Sequence, residues 1–362
     1  MIVKNLVFSS FRNLSRTELT PGERFNVFHG DNGQGKSNLL EAIYLLGTMK
    51  SFRHGKNRDL IQWNAPFSLL KAVVAKEGVS REVTLLIEKE GKKVRVDRKS
   101  LERLSDFFGC LNVVVFSPEE LVMVKGQPDM RRRYLDRAVF ASDSGYLSLH
   151  HDYSQILKNR NALLRSGASD GLDIWSDRLV ESGTKLVAGR LSWLQGIREL
   201  LQEFHEGIAG NGAEVDLLYR SVPGGNSTPQ EYSRNFRKNL ERLADEERRR
   251  GVTLAGPHRD DLEFLLTGRL LKLHGSQGEQ RSFILALKMA EIEHLHRLHG
   301  DPPVLLLDDM TSELDSQRNR NLLRFLEAKQ MQVFVTTTSL HNLQMDNQEN
   351  YRIFPIRDGK IV

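Results

Sequence analysis

The segment Gly30-Asp31-Asn32-Gly33-Gln34-Gly35-Lys36-Ser37 constrains this chain more than any other stretch. It follows Arg24–Phe28, an apolar run that reads as a strand. It precedes Ser37–Leu46, where Leu39, Leu40, Ile43 and Leu46 recur at helical spacing and Gly47 supplies a stop. A strand, a tight glycine-rich turn and a helix, in that order, match G-x-x-x-x-G-K-[ST]. The three glycines let the backbone turn sharply and aim N–H groups at a phosphate, and the helix N-terminus adds the positive end of its dipole. Lys36 is placed for the β- and γ-phosphates of a nucleotide and the Ser37 hydroxyl for Mg²⁺. The competing reading is a strand–helix turn that binds nothing.

Such a loop needs a second Mg²⁺ ligand from a neighbouring strand. Val304-Leu305-Leu306-Leu307-Asp308-Asp309 supplies four aliphatics and then two acids where the strand would emerge. Asp308 would hold the ion through its hydration shell, and Asp309 would polarise the attacking water. Ser276-Gln277-Gly278-Glu279-Gln280 stands ahead of this strand and fits a capping box, S-x-x-E, opening the Gln280–Leu298 helix. It is either a well-capped helix or a second phosphate-binding helix start.

Other textures divide the chain. Met1–Phe8 reads as a strand, Leu69–Val96 as antiparallel strands and Leu111–Phe116 as a buried strand. From Pro128 to about Arg250 the chain reads as mostly helical, broken by a strand at Val215–Tyr219 and the loop Pro223-Gly224-Gly225-Asn226. Leu262–Leu266 and Leu270–His274 flank Thr267-Gly268 as a hairpin. The expected fold is therefore α/β with an inserted helical lobe: residues 1–127 with 252–362 in one body, 128–251 in the other.

Composition narrows the class. The single cysteine, Cys110, excludes a disulfide framework and a cysteine-rich metal site. No apolar run reaches the roughly 18 residues of a membrane span, and Met1–Phe11 lacks a signal-peptide pattern, so a cytoplasmic protein is expected. Lys and Arg number 52 against 47 Asp and Glu, a net +5 that permits a nucleic-acid partner without demanding one.

The order of Lys36-Ser37, Ser276–Gln280, Asp308-Asp309 and Ser312-Glu313-Leu314-Asp315 resembles the ABC-type ATPase heads, with their P-loop, signature, Walker B and D-loop. The resemblance implies a mixed sheet with an antiparallel β subdomain and an ATP-sandwiched homodimer. In such a dimer, Ser276, Gln277, Gly278, Glu279 and Gln280 of one copy meet the nucleotide of the other. Asp309 stands where transporters carry glutamate, which suits slow turnover. The Q-loop glutamine gives way to Ser117-Pro118-Glu119, and Thr336-Thr337-Thr338-Ser339 lacks the switch histidine, His341 lying past that position.

Phe11-Arg12-Asn13-Leu14, Leu39–Tyr44, Ser51-Phe52-Arg53, Phe116–Glu119, Arg131–Asp136 and Gly256–Leu262 narrow the match: the chain resembles the RecF family of bacterial recombination mediators, similar to the SMC heads. That resemblance implies a weak ATPase using ATP and Mg²⁺ that binds duplex and gapped DNA and works with RecR and RecO to load RecA. It adds Arg12, Asn13 and Asn38 to the ATP-binding set of residues 30–37. DNA contact falls on Arg53, Arg131, Arg132 and Arg133, and the resemblance implies a nucleotide or DNA role for Gly256–Asp261 without assigning which. A small-molecule kinase would not need Ser276–Gln280 or Ser312–Asp315. A transporter ATPase would not need the long helical insertion.

Overall fold

The computed structural model describes all residues except 54, 102–105, 169, 223–227, 310–315 and 341–350. The chain divides into two compact units. The first comprises Met1–Val122, Phe204–Gly212 and Arg281–Val362, and the second Met123–Glu203 and Ala213–Gln280.

The first unit holds two six-stranded sheets. One is antiparallel, in the order Leu14–Leu19, Ile2–Phe11, Ser68–Lys76, Val79–Ile87, Lys92–Val96, Lys99–Ser100. The other runs Lys360–Ile361, Tyr351–Arg357, Phe25–His29, Val333–Thr337, Val304–Asp308, Val113–Phe116, and is parallel apart from its terminal hairpin. Its central strands are buried on both faces, which explains why they read as unbroken apolar runs rather than as alternations.

The helix Lys36–Thr48 packs against strands of both sheets. Leu39, Leu40, Ala42, Ile43, Leu45 and Leu46 are all buried, as expected of a helix apolar all round. Gly47 does not end it. The helix runs one residue further, and Met49 takes the left-handed conformation with φ 57°. Gly47 is instead a packing position, because a Cβ there would lie 2.6 Å from Val113 Cγ2 and 2.7 Å from the Leu111 carbonyl.

The second unit contains helices Pro128–Ser142, Tyr146–Ser166 and Pro229–Arg250, most of the long helix Leu172–Ala209, and a three-stranded sheet. The sequence reading returned residues 252–280 to the first body. The structure groups them with the inserted one, because Asp261–Leu266 pairs over six residues with Val215–Arg220. The expected second hairpin strand shrinks to Arg269–Leu270, and Leu271–His274 is helical. Leu14–Leu19 is sparsely apolar and Tyr351–Arg357 is interrupted by Pro355, so neither gives a clear strand signal in the sequence. Among the described residues no helix is long and apolar enough to cross a membrane.

Candidate functional site

The parallel strands of the first unit deliver the site. Phe25–His29 leads into the glycine-rich turn, and Val304–Asp308 and Val333–Thr337 end beside each other in register, Asp308 opposite Thr336. Ser37 Oγ donates to Asp308 Oδ1 at 2.7 Å, and Thr336 Oγ1 donates to the same oxygen at 2.8 Å. The Asp309 N–H donates to Thr336 Oγ1 at 2.8 Å, and Asp309 itself is left-handed at φ 50°. Two motifs far apart in sequence are thus joined through one carboxylate oxygen. Burial raises the Asp308 carboxyl above its usual range, opposed by the two hydroxyls. A desolvated carboxylate beside a hydroxyl ligand fits a hard divalent cation, whose charge would repay that burial.

Lys36 Nζ donates to the carbonyls of Gly30 at 2.6 Å and Asp31 at 2.9 Å, spanning the turn from within. Burial lowers its ammonium, while Asp309, Asp308 and Asp31 pull it back up. Gly35 is left-handed at φ 104°, and a Cβ there would stand 2.7 Å from Asn13 Oδ1. Only glycine lets Asn13 approach so closely. Asn13 Oδ1 accepts from Asn38 Nδ2 at 2.8 Å, and Arg53 Nη1 donates to Asn38 Oδ1 at 3.1 Å. Asn13, Asn38 and Arg53 therefore form one chain at the helix start. Asp31, Asn32 and Gly33 are exposed.

Arg12 is turned elsewhere. Its Nη2 and Nε donate to Glu41, at 2.8 and 3.1 Å, and its Nη1 donates to the Asp59 carbonyl. Glu41 is fully buried and also accepts from Ser51 Oγ. Sequence reasoning quoted Glu41 only within a resemblance, although a lone acid in an apolar helix is a usable sign of a buried partner. Two further supports escaped it. Thr336 is an ordinary strand residue until the register places it at Asp308. Gln34 is braced by the C-terminal hairpin, its Oε1 accepting from the Asp358 N–H at 2.6 Å and its carbonyl from the Gly359 N–H at 2.9 Å.

The expected capping box opens the helix Gln277–His299. The Ser276 N–H donates to Glu279 Oε2 at 2.7 Å, and the Glu279 N–H to Ser276 Oγ at 3.2 Å. Gln280 Nε2 donates to the Gly275 carbonyl, while Ser276 and Gln277 are exposed. Ser312 and Asp315 of the D-loop, and His341, lie outside the described residues.

The basic run 131–133 separates into three fates. Arg131 is 2 % exposed; its Nε and Nη2 each donate to Asp261 at 2.8 Å, and its Nη1 to the Gly126 carbonyl. That leaves it no face for a DNA phosphate. Arg132 donates to the Asp260 carbonyl, and Arg133 is exposed beside Asp129.

The segment Gly256–Asp261 builds the interior of the second unit. Asp260 Oδ2 accepts from the Tyr219 hydroxyl at 2.6 Å, and Oδ1 from the Val222 N–H at 3.1 Å. His258 Nδ1 lies 2.6 Å from the Tyr153 hydroxyl and Nε2 3.2 Å from the Thr253 carbonyl. A carbonyl can only accept, so Nε2 carries the proton and Nδ1 accepts from Tyr153. Burial lowers the imidazole to about 4. The unfolded chain takes up a proton near pH 6.5 and the folded chain only near 4, so stability is full above pH 6.5 and falls between those values as pH drops. The loss reaches up to about 3 kcal/mol. Urea unfolding at pH 7.5 and pH 5 is expected to show this slope, and His258→Gln to flatten it. An unchanged slope in the variant would assign the loss to other groups.

A sequence profile described as "RecF/RecN/SMC N terminal domain" matches residues 2–362. The chain is 53% identical over 363 residues to a DNA replication and repair protein RecF of Geotalea uraniireducens, covering 100% of both chains. It superposes on a solved structure of the recombination mediator protein RecF with ATP in the RecFOR pathway, at TM-score 0.90 and 30% identity, covering 99% of this chain and 98% of that one. A structure of an Smc head bound to the C-terminal winged-helix domain of ScpA matches at TM-score 0.56 and 15% identity, covering 100% and 97%, a likeness of fold.

Proposed function

Given that the chain belongs to the RecF/RecN/SMC N-terminal domain family, and within it to the RecF proteins of DNA replication and repair, we propose that it is an ATP-gated DNA clamp. Two copies sandwich ATP, the closed dimer holds duplex or gapped DNA, and slow hydrolysis opens it. Through RecR and RecO it promotes loading of RecA at single-strand gaps. The joint of Ser37 and Thr336 on the buried Asp308 carries this reading, because it ties the phosphate loop to the acidic strand.

Residues 30–38 bind ATP, with Asn13 at the loop and Lys36 released from its carbonyl partners to meet the β- and γ-phosphates. Ser37 and Asp308 would hold Mg²⁺, which when bound supplies charge for the phosphate oxygens. Asp309 orients the attacking water. Arg12, clamped by Glu41, sets the position of the turn that carries Asn13. The exposed start of the Gln277–His299 helix offers Ser276 and unspent N–H groups to the γ-phosphate of a second copy.

The test is affinity for a gapped duplex with ATP, with ADP and without nucleotide, at one salt concentration. Tighter binding with ATP is expected, about tenfold or more, and is lost in Ser276→Arg while that variant still binds ATP. Affinity indifferent to nucleotide would refute the gate. A Ser276→Arg protein that keeps the ATP effect would refute the shared site.

A further inference from the structure

The antiparallel sheet of the first unit has an inner face that packs on the core and an outer face that does not. Leu70, Ala72, Val83 and Leu85 point inward and are buried. The register then sets the outer rows. Arg16, Ser9, Leu69, Leu86 and Lys93 lie opposite one another across five strands. The next row is Glu18, Val7, Lys71, Thr84 and Arg95. Residues level across adjacent strands share a face, so both rows lie on one surface, with Leu69 and Leu86 near its middle, Lys93 and Arg95 along one margin, and Arg16 with Glu18 along the other.

Two exposed aromatics stand in the loop that leads into this sheet. Phe67, 45% exposed, directly precedes the strand Ser68–Lys76. Trp63 is 87% exposed, which is unusual for a side chain of that apolar area. Its segment is not loose, because the Gln62 N–H donates to the Ser10 carbonyl at 2.8 Å and the Ala65 N–H to the Gln62 carbonyl at 3.0 Å. Trp63 is thus held out into solvent by a fixed backbone.

Charge selects the partner. Ser68–Ser100 contains nine Lys and Arg against five Asp and Glu, so this segment carries a net +4. Lys71 is paired with Glu82 and Lys93 with Glu88, but Arg16 and Arg95 have no ionic partner among the described residues. Exposed aromatics at the entry to a sheet that carries unpaired arginines suit unpaired bases and phosphates, since every base offers a π-face.

We propose that this outer face binds a single DNA strand, with a base stacked on Trp63 and phosphates met by Arg95 and Arg16. The proposal rests on the DNA-binding reading above and names the surface that takes the unpaired strand of a gap.

A labelled fifteen-residue oligothymidylate is titrated against the full chain with ATP at fixed salt. A gapped duplex and a blunt duplex are titrated in parallel. Trp63→Ala is expected to weaken oligonucleotide binding about tenfold or more, Trp63→Phe to retain most of it, and Arg95→Glu to weaken it and lower its salt dependence. Blunt-duplex affinity is expected to stay within about twofold. In a Trp175→Phe background the oligonucleotide should also quench the Trp63 emission. Wild-type binding by Trp63→Ala and Arg95→Glu would overturn the proposal, as would equal losses for oligonucleotide and blunt duplex. An ATP-insensitive gapped duplex would sink the clamp reading instead, while the Trp63 comparison would still decide the surface.

Discussion

Replacing Arg190 by methionine is expected to destabilise the second unit by about 3–5 kcal/mol, one of the largest single-residue effects in the chain. Arg190 is 2 % exposed and each of its three guanidinium nitrogens is engaged. Nε donates to Asp136 Oδ1 at 2.9 Å, Nη2 lies 2.8 Å from the same oxygen, and Nη1 donates to the Tyr219 hydroxyl and the Pro257 carbonyl, both at 2.9 Å. Burial alone would push the Asp136 carboxyl up. Arg190, with hydrogen bonds from His150 and Tyr146, outweighs it and holds the carboxyl well below the usual range. Methionine would fill the space but leave that carboxylate charged and largely uncompensated. Trp193 lies on the same helix, is buried and packs edge-on against Tyr134, so in a Trp63→Phe background the emission reports this unit. Urea unfolding followed there should show a lower midpoint. Arg190→Met with Asp136→Leu should recover part of the loss, since removing both charges is cheaper than stranding one. A loss below about 1 kcal/mol in the single variant would mean that the pair contributes little beyond its own desolvation.

Lys36→Met is expected to cut ATP affinity about 10²-fold or more and to abolish the ATP effect on gapped DNA, while thermal stability without nucleotide stays nearly unchanged. The two expectations have one cause. The Lys36 ammonium is partly desolvated and rests on two backbone carbonyls, which water can satisfy in its place. With nucleotide the same charge faces phosphate oxygens, where an ion-assisted hydrogen bond in a confined site is worth roughly 2–4 kcal/mol. Isothermal titration with ATP, beside a melting curve of each protein, separates the roles. Equal ATP affinity in the variant would remove Lys36 from the site. A strong drop in apo stability would make it a structural residue.

The phosphate loop, the acidic strand and the capping box were legible because each is a local pattern with a local cause. Glycines permit a turn, four aliphatics fit a strand buried on both faces, and Ser and Glu three apart satisfy a helix start. Arg131 misled for the opposite reason. Three consecutive arginines read as one basic cluster, but helical geometry turns one inward onto Asp261 and another outward beside Asp129. Likewise Asp261–Leu266 reads as part of the first body until its pairing with Val215–Arg220 assigns it to the inserted one.

What this sequence determined unaided is the character of its parts: a glycine-rich turn between strand and helix, an aliphatic strand that ends in two acids, a capped helix start, and the family whose order of motifs it shares. What only the tertiary structure decided is which of those parts meet. Ser37 and Thr336 converge on Asp308 because three parallel strands end in register, and Asp358 braces Gln34 because a late hairpin joins the same sheet. Periodicity reports how a residue faces its own element. It carries no information on the partner strand, since hydrogen-bond pairing along a sheet is nearly indifferent to side-chain identity, and register is chosen by the burial of whole faces.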